Sequence, residues 1–470
     1  MSKLLKDSVI YSIGNLLPQL GGFVFLPIYL KFMSIEDFGV VSSMLVIQSV
    51  VSIFFSLAID RSLIRLYFDY KSPNQQATFF GTNFIAITVI SSSLCVILIL
   101  TNGILVKIFP DISFYPYYLY ALLIAYVKGF FLVPKTYLQI KNKSLKFVSL
   151  SAAEFILVTL AIMFYVVYRG EGPSGMLKGQ LLGTSLLIPY LFSIVRKNFI
   201  FRFNFSMLKN TLRFSLPLVP SLLTAFILNL SDRIFIDRYM GLSEVGLYSL
   251  AYKVASIVLI AISAINMAVT PFYYRRISKL GFVSASPWSK EFNNNYIKII
   301  GVLVFIFLMF SKEIILIFFG SNYFQSAYIV GLLLLSYYFS GTNNVNGRLI
   351  LYKKKTHHSM AIDVSTAFLN ILLNFLLIPK YGMIGAALAT LASMMFAFIT
   401  SFIYVKFYLG VSSVSWRVYL FTVLILVVTM LLNSINHDEF MLFLILKVSV
   451  ISIFLFFYKK KVEEFMLSWK

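Results

Sequence analysis

Charge is what this chain has least of. Only 12% of its 470 residues are Asp, Glu, Lys or Arg, where an ordinary soluble chain carries roughly 25%. A soluble protein of this length could not cover its surface with so few. That excludes a cytosolic enzyme and a disordered chain. Cysteine is limited to Cys95, inside an apolar run, so there is no internal disulfide and no disulfide scaffold. The adjacent His357 and His358 supply too few ligands to close a metal site alone. No Gly-x4-Gly-Lys-Ser/Thr loop is present, hence no sign of ATP hydrolysis. Long loops are missing too. The largest gap between apolar runs, Tyr273 to Asn295, leaves no extramembrane domain for a soluble active site.

What the chain has is hydrophobic surface, 59% of residues, arranged in runs. Fourteen of them are about as long as the 20 residues that carry a helix across the hydrocarbon: 9–30, 38–59, 79–100, 115–134, 147–168, 176–195, 212–236, 245–272, 296–319, 326–351, 360–379, 383–408, 416–434 and 440–458. They are apolar throughout rather than alternating, which excludes barrel strands. The expected fold is an all-α polytopic membrane protein.

Basic residues outnumber acidic ones by 40 to 18, a net charge of +22. They lie in the short gaps between runs, so the excess reads as membrane topology rather than nucleic-acid binding. With the N-terminus inside, 29 of the 40 fall in cytoplasmic segments and 8 on the opposite side, while Lys128, Lys253 and Lys447 fall within spans. A missed helix would invert every later loop, so this asymmetry supports both count and orientation. Both termini are expected in the cytoplasm. Lys3 and Lys6 precede an apolar stretch from Val9 to Leu30 with no small-residue cleavage site, which reads as a retained first helix rather than a signal peptide.

An internal repeat is visible at an offset of 207 residues. Lys31-Phe-Met-Ser-Ile-Glu-Asp-Phe-Gly-Val40 aligns with Arg238-Tyr-Met-Gly-Leu-Ser-Glu-Val-Gly-Leu247, and Gly175-Met-Leu177 with Gly382-Met-Ile384. The offset carries span 1 to span 7. Six spans is an even number, so the halves share one orientation and should be related by a pseudo-two-fold axis along the membrane normal. The expected organisation is an N-lobe over 1–205, a C-lobe over 206–410 and an appendage of two helices over 411–470. The basic segment Arg196 to Arg213 links the lobes, with the membrane interface as its expected place.

A 6+6+2 array with parallel repeats resembles the multidrug/oligosaccharidyl-lipid/polysaccharide (MOP) flippase superfamily, and within it the Wzx-type polysaccharide flippases. The residues that carry the resemblance are Asn229-Leu-Ser-Asp-Arg233, Glu244-Val-Gly-Leu-Tyr248, Pro271-Phe-Tyr273 and Ile378-Pro-Lys-Tyr-Gly-Met-Ile-Gly-Ala-Ala387. Most of residues 1–410 is covered. The resemblance implies a flippase that moves an undecaprenyl-pyrophosphate-linked oligosaccharide repeat unit from the cytoplasmic to the outer face of the bacterial cytoplasmic membrane. That step feeds O-antigen, capsule or exopolysaccharide synthesis, with a polysaccharide polymerase and chain-length machinery as partners and a monomer as the default state. Alternating access would come from rocking of the lobes. A cofactor is not expected; energy would come from an ion gradient (H+ or Na+), the membrane potential or product consumption.

An ionisable residue inside the bilayer costs roughly 2.5–3.5 kcal/mol on insertion scales, which makes it a functional candidate. Lys128 and Lys253 read as cavity cations for the pyrophosphate, or as lysines that snorkel or pair with a carboxylate. Arg61 and Arg65, four apart on one helical face, could bind phosphate oxygens at the cytoplasmic side, with Asp60 orienting Arg61; an ordinary positive-inside anchor is the alternative. Asp232 and Arg233 read as an outer gate, or as part of a local Arg233–Asp237 ion pair. Arg275 and Arg276 read as anchors. Glu154 and Asp363 are candidates for coupling, or for charge compensation of Lys128 or Lys253. Pro18, Pro27, Pro217 and Pro220 fall in corresponding helices that they could kink. Asn15, Gln19, Asn229 and Asn266 could hydrogen-bond sugar hydroxyls, and Tyr11 or Tyr252 could stack on a sugar.

Three other readings compete. A multidrug/cation antiporter needs an acidic or neutral cavity, against Lys128, Lys253 and Arg61. A lipid II flippase shares the fourteen spans, but that branch usually has arginines in span 1 and Val9–Leu30 has none. A glycan polymerase or ligase needs a large outer loop.

Overall fold

The structure, a computed structural model, describes residues 3–434, with side chains from Leu16 onward. Span 14 at 440–458, Lys447 and the side chains of Tyr11 and Asn15 lie outside the described residues. The rest is helical. The first half contains α1 (Lys3–Leu30), α2 (Ile35–Ser56), α3 (Ile59–Leu66), α4 (Pro73–Leu100), α5 (Asn102–Leu105), α6 (Leu119–Ile140), α7 (Ser144–Ile162), α8 (Gly172–Ser185) and α9 (Ile188–Asn198). Next come α10 (Phe205–Ser215), α11 (Val219–Leu230), α12 (Asp232–Met240), α13 (Leu242–Leu280), α14 (Ser286–Met309), α15 (Ser311–Phe319), α16 (Ala327–Tyr352), α17 (Thr356–Phe407) and α18 (Trp416–Ser434). Among the described residues, ten helical stretches are long and apolar enough to cross a membrane. The protein is a multi-pass membrane protein.

Local chemistry explains where the helices start and stop. Ser34 caps α2 in a capping box: Asp37 N donates to Ser34 Oγ (3.0 Å) and Ser34 N to Asp37 Oδ2 (2.9 Å). Ser72 and Gln75 form the same box ahead of α4, whose first residue is Pro73. The run expected over 38–59 breaks earlier, at Leu57 and Ala58, which both take left-handed φ (46° and 56°). Side chains rarely adopt that conformation. The break sets α3, with Asp60, Arg61 and Arg65, on a separate helix. Span 7 is divided too: Pro217 lies in a 3-10 turn (Leu216–Leu218) and Pro220 in the first turn of α11. Spans 11 and 12 form α17, folded at Gly382 (φ 54°, ψ −133°).

Two compact units are present, Met1–Gly246 and Leu247–Lys470. Unit 1 has two cores. In one, Phe80 stacks on Phe199 (centroids 5.3 Å apart) and meets Tyr137 edge-on (5.2 Å). In the other, Met44 and Ile47 of α2 lie with Ala121, Leu122 and Ala125 of α6. Small residues on α6 let α2 approach closely. In unit 2, Phe398 and Tyr419 stack at 4.3 Å, and Tyr338 is fully buried.

The repeat is written in the backbone as well as in the sequence. Lys141-Asn142-Lys143, between α6 and α7, and Lys353-Lys354-Lys355, between α16 and α17, make the same turn. The central residues are left-handed (Asn142 φ 52°, Lys354 φ 58°). The third residues close it alike, Lys143 N to Leu138 O at 2.8 Å and Lys355 N to Ile350 O at 3.1 Å. These turns stand 212 residues apart rather than 207, so the copies differ in length before this point. The pairing of Gly175 with Gly382 needs correction. Gly175 is within α8, whereas the left-handed glycines are Gly170 (φ 64°), ahead of α8, and Gly172 (φ 55°), its first residue.

Candidate functional site

A cavity of about 410 Å³ lies within unit 1. Its walls are one face of α2 (Leu45, Gln48, Ser49, Ser52, Ile53), Lys128 of α6, and the apolar side of α11 (Leu222, Ala225, Phe226, Leu230). Residues 45, 48, 49, 52 and 53 share a helix face because successive turns of a 3.6-residue helix bring them together. Lys128 is the one charged residue of the lining and is half-buried. Beside it on the α2 wall, Gln48 is buried and its Oε1 accepts no hydrogen bond. Ser49 Oγ donates to the Leu45 carbonyl at 2.7 Å, which leaves its lone pairs for another donor. An ammonium, an amide and two hydroxyls thus interrupt an apolar wall. Such a surface can hold an anionic oxygen at the ammonium, accept and donate hydrogen bonds to hydroxyls, and offer the Phe226 ring to an apolar or sugar face.

Glu154 is not the partner of Lys128. Its Oε2 accepts from Lys135 Nζ at 2.7 Å, and its charge acts on Lys128 from beyond contact distance. Among the described residues, Lys128 makes no ion pair. Lys253 lies on an exposed position of α13 in unit 2 and is not part of this lining.

Arg61 and Arg65 are both exposed on α3, and each has a local acid. Arg61 Nε stands 3.4 Å from Asp60 Oδ2 and Arg65 Nη1 3.0 Å from Asp69 Oδ1. Asp60 does meet Arg61 as expected. Asp69 was not singled out from the sequence, although its i,i+4 spacing from Arg65 is legible there.

In α12, Asp232, Arg233 and Asp237 are all buried. Arg233 Nη1 donates to the Asn229 carbonyl at 3.0 Å. The charges that act on Asp237 are Asp111 and Arg238. Burial first, and Asp111 second, push its carboxyl from 3.8 up to about 6, with Arg238 acting the other way. Asp363, on α17, is exposed and makes no ion pair among the described residues. Asn266 accepts from Tyr296 OH at 2.7 Å, a packing role inside unit 2.

Two features escaped the sequence reading. Lys141 Nζ donates to Tyr67 OH at 2.6 Å, and Lys143 Nζ to Tyr137 OH at 3.2 Å, so these loop lysines are held by tyrosines rather than loose in solvent. Arg348, counted as a loop anchor, is 4% exposed inside unit 2.

The helical array defines an all-α, multi-pass membrane protein. The fold is that of a solved structure, "Lipid II flippase MurJ, inward closed conformation", with a TM-score of 0.75 and 16% identity over 97% of this chain and 100% of that one. The chain belongs to the polysaccharide biosynthesis protein family, which it matches over residues 4–275. It is 24% identical to the capsular polysaccharide biosynthesis protein CapF of Staphylococcus aureus, over 84% of this chain and 97% of that protein. It is 26% identical to the "Probable low-salt glycan biosynthesis flippase Agl15" of Haloferax volcanii, over 39% of this chain and 40% of that protein.

Proposed function

We propose that the chain flips an undecaprenyl-pyrophosphate-linked oligosaccharide from the cytoplasmic to the outer face of the bacterial cytoplasmic membrane, for surface polysaccharide synthesis. The observation that carries this reading is the Lys128 ammonium, without an ion pair and facing a cavity with Gln48, Ser49 and Ser52. A charge left unpaired in an apolar helical unit is costly, and a phosphate oxygen offsets the cost. The hydroxyls and amide suit a glycan, and the prenyl tail can remain in lipid. Arg61 and Arg65 serve as the loading site at the end that the loop charges assign to the cytoplasm, where the diphosphate displaces Asp60 and Asp69. Lys253 is a second cation, in unit 2, at a position that the repeat does not pair with Lys128. Asp232 and Arg233 act at the outer end.

Coupling to H+ or Na+ falls to Asp363 rather than Glu154, since Glu154 is engaged by Lys135. The chain acts as a monomer that hands its product to a polymerase and chain-length machinery. Both termini lie in the cytoplasm.

The test is depletion in the host, followed by extraction of lipid-linked oligosaccharides, mass spectrometry and assignment of the membrane face. Accumulation of a single-repeat diphosphate lipid on the inner face supports the reading and names the sugar. It must be reversed by wild type but not by an equally abundant Lys128→Gln chain. Accumulation of lipid II moves the protein to the cell-wall branch. No accumulation, with glycan synthesis intact, favours drug or ion export.

A further inference from the structure

Unit 2 contains a buried cation with no counter-charge among the described residues. Arg348, one turn before the end of α16, is 4% exposed, and its Nε, Nη1 and Nη2 all lack a hydrogen-bond partner. Its guanidinium carbon lies 4.5 Å from the ring centre of Tyr296 and 5.0 Å from that of Tyr273. The groups that act on it electrostatically are Tyr296, Tyr273 and Tyr274; no carboxylate is among them. The aromatic cage is itself fixed. Tyr273 OH bonds with Ser289 Oγ and accepts from Asn293 Nδ2, which also donates to Ser413 O (2.9 Å). Tyr296 OH donates to Asn266 Oδ1 at 2.7 Å. The cage therefore cannot turn its hydroxyls freely toward the arginine.

An arginine stays charged in any protein environment. Its burial is costly, and desolvated cation–π contacts offset only part of that cost. The guanidinium carbon lies over both rings, and the N–H donors on its edge are left without partners. Water could accept those bonds but would leave the charge uncompensated. We propose that unit 2 binds a compact monovalent anion of halide size against the Arg348 guanidinium edge. Enclosure selects the size, since a 96%-covered side chain leaves little room for a phosphate and its hydration. The site is independent of the cavity in unit 1, and this inference does not rest on the transport reading.

The experiment uses the full chain in detergent, exchanged into gluconate. Equilibrium dialysis against radioactive chloride should show saturable binding near one ion per chain, displaced by bromide and not by phosphate. Arg348→Gln, if folded, should lose it, and Arg348→Lys should weaken it. No saturable chloride binding, phosphate binding in its place, or unchanged binding in a folded Arg348→Gln chain overturns the proposal. Should Arg348→Gln fail to fold, wild-type crystals soaked in bromide decide. An anomalous peak beside the guanidinium supports the site, and a peak elsewhere or none overturns it.

Discussion

Gly39 and Gly246, matched by the internal repeat, touch each other's segments reciprocally. A Cβ on Gly39 would lie 2.0 Å from the Leu242 carbonyl oxygen, and one on Gly246 would lie 2.2 Å from that of Ile35. Residues 35 and 242 are themselves repeat partners, so the contact is isologous: each copy presents the same glycine to the same carbonyl. Only a residue without a side chain permits that approach.

Gly39→Ala and Gly246→Ala should therefore each destabilise the protein by at least the roughly 1–3 kcal/mol typical of overpacking, because the clash is with backbone. Thermal unfolding in detergent would register this as a lowered midpoint. Gly22→Ala, where a Cβ meets nothing within 4 Å, should leave the midpoint unchanged or raise it. Equal midpoints for all three would sink the contact.

Lys128→Gln should lower lipid-linked oligosaccharide transport by about tenfold or more, the equivalent of about 1.4 kcal/mol, with little effect on abundance. Lys128→Arg keeps the charge and should retain part of the activity. A reconstituted vesicle assay would separate the two, and full activity of the glutamine variant would remove the lysine from the site.

Glu154→Gln breaks the ion pair with Lys135, whose side chains are only 19% and 26% exposed. Loss of one partner from a partly buried pair should cost about 1–3 kcal/mol after screening by solvent. The Lys135→Met, Glu154→Gln double variant should recover part of it. If the pair is structural, the pH profile of transport should survive in Glu154→Gln. A flattened profile would return Glu154 to the coupling role.

Asp237 makes stability depend on pH. Its folded carboxyl is raised from 3.8 to about 6, so the folded chain holds this proton more tightly than the unfolded chain does. The stabilisation is complete below about pH 4 and is lost as pH rises through 6. Unfolding midpoints between pH 4.5 and 7.5 should fall with rising pH in the wild type. Asp237→Asn should flatten that slope and be the more stable protein at pH 7.

Much of the architecture was legible because membrane spans are read from length and apolarity alone. Span 13 at 416–434 and α18 coincide, and the gap left between spans 11 and 12 contains Gly382. The break at Leu57-Ala58 was not legible: neither residue is a glycine or a proline, and tertiary contacts must hold their left-handed backbone. Lys128 was found because a lysine amid apolar residues stands out. Arg348 was missed for the opposite reason. It lies five residues before Lys353 in a run of basic residues, and a hydropathy scan reads it as flank. Only packing reveals that tyrosines from α13 and α14 enclose it. The partner of Glu154 was equally hidden, since Lys135 and Lys128 stand two turns apart on one helix and nothing local decides between them.

The twin lysine turns carry a consequence for reading this chain's own history. Backbone torsions agree between the copies while the residues have drifted, asparagine at the left-handed position in one and lysine in the other. The two copies can be read against each other, as an alignment of depth two inside a single polypeptide. What both copies keep marks what the architecture demands. What only one keeps, such as the caged arginine of unit 2, marks where the two halves have divided their labour.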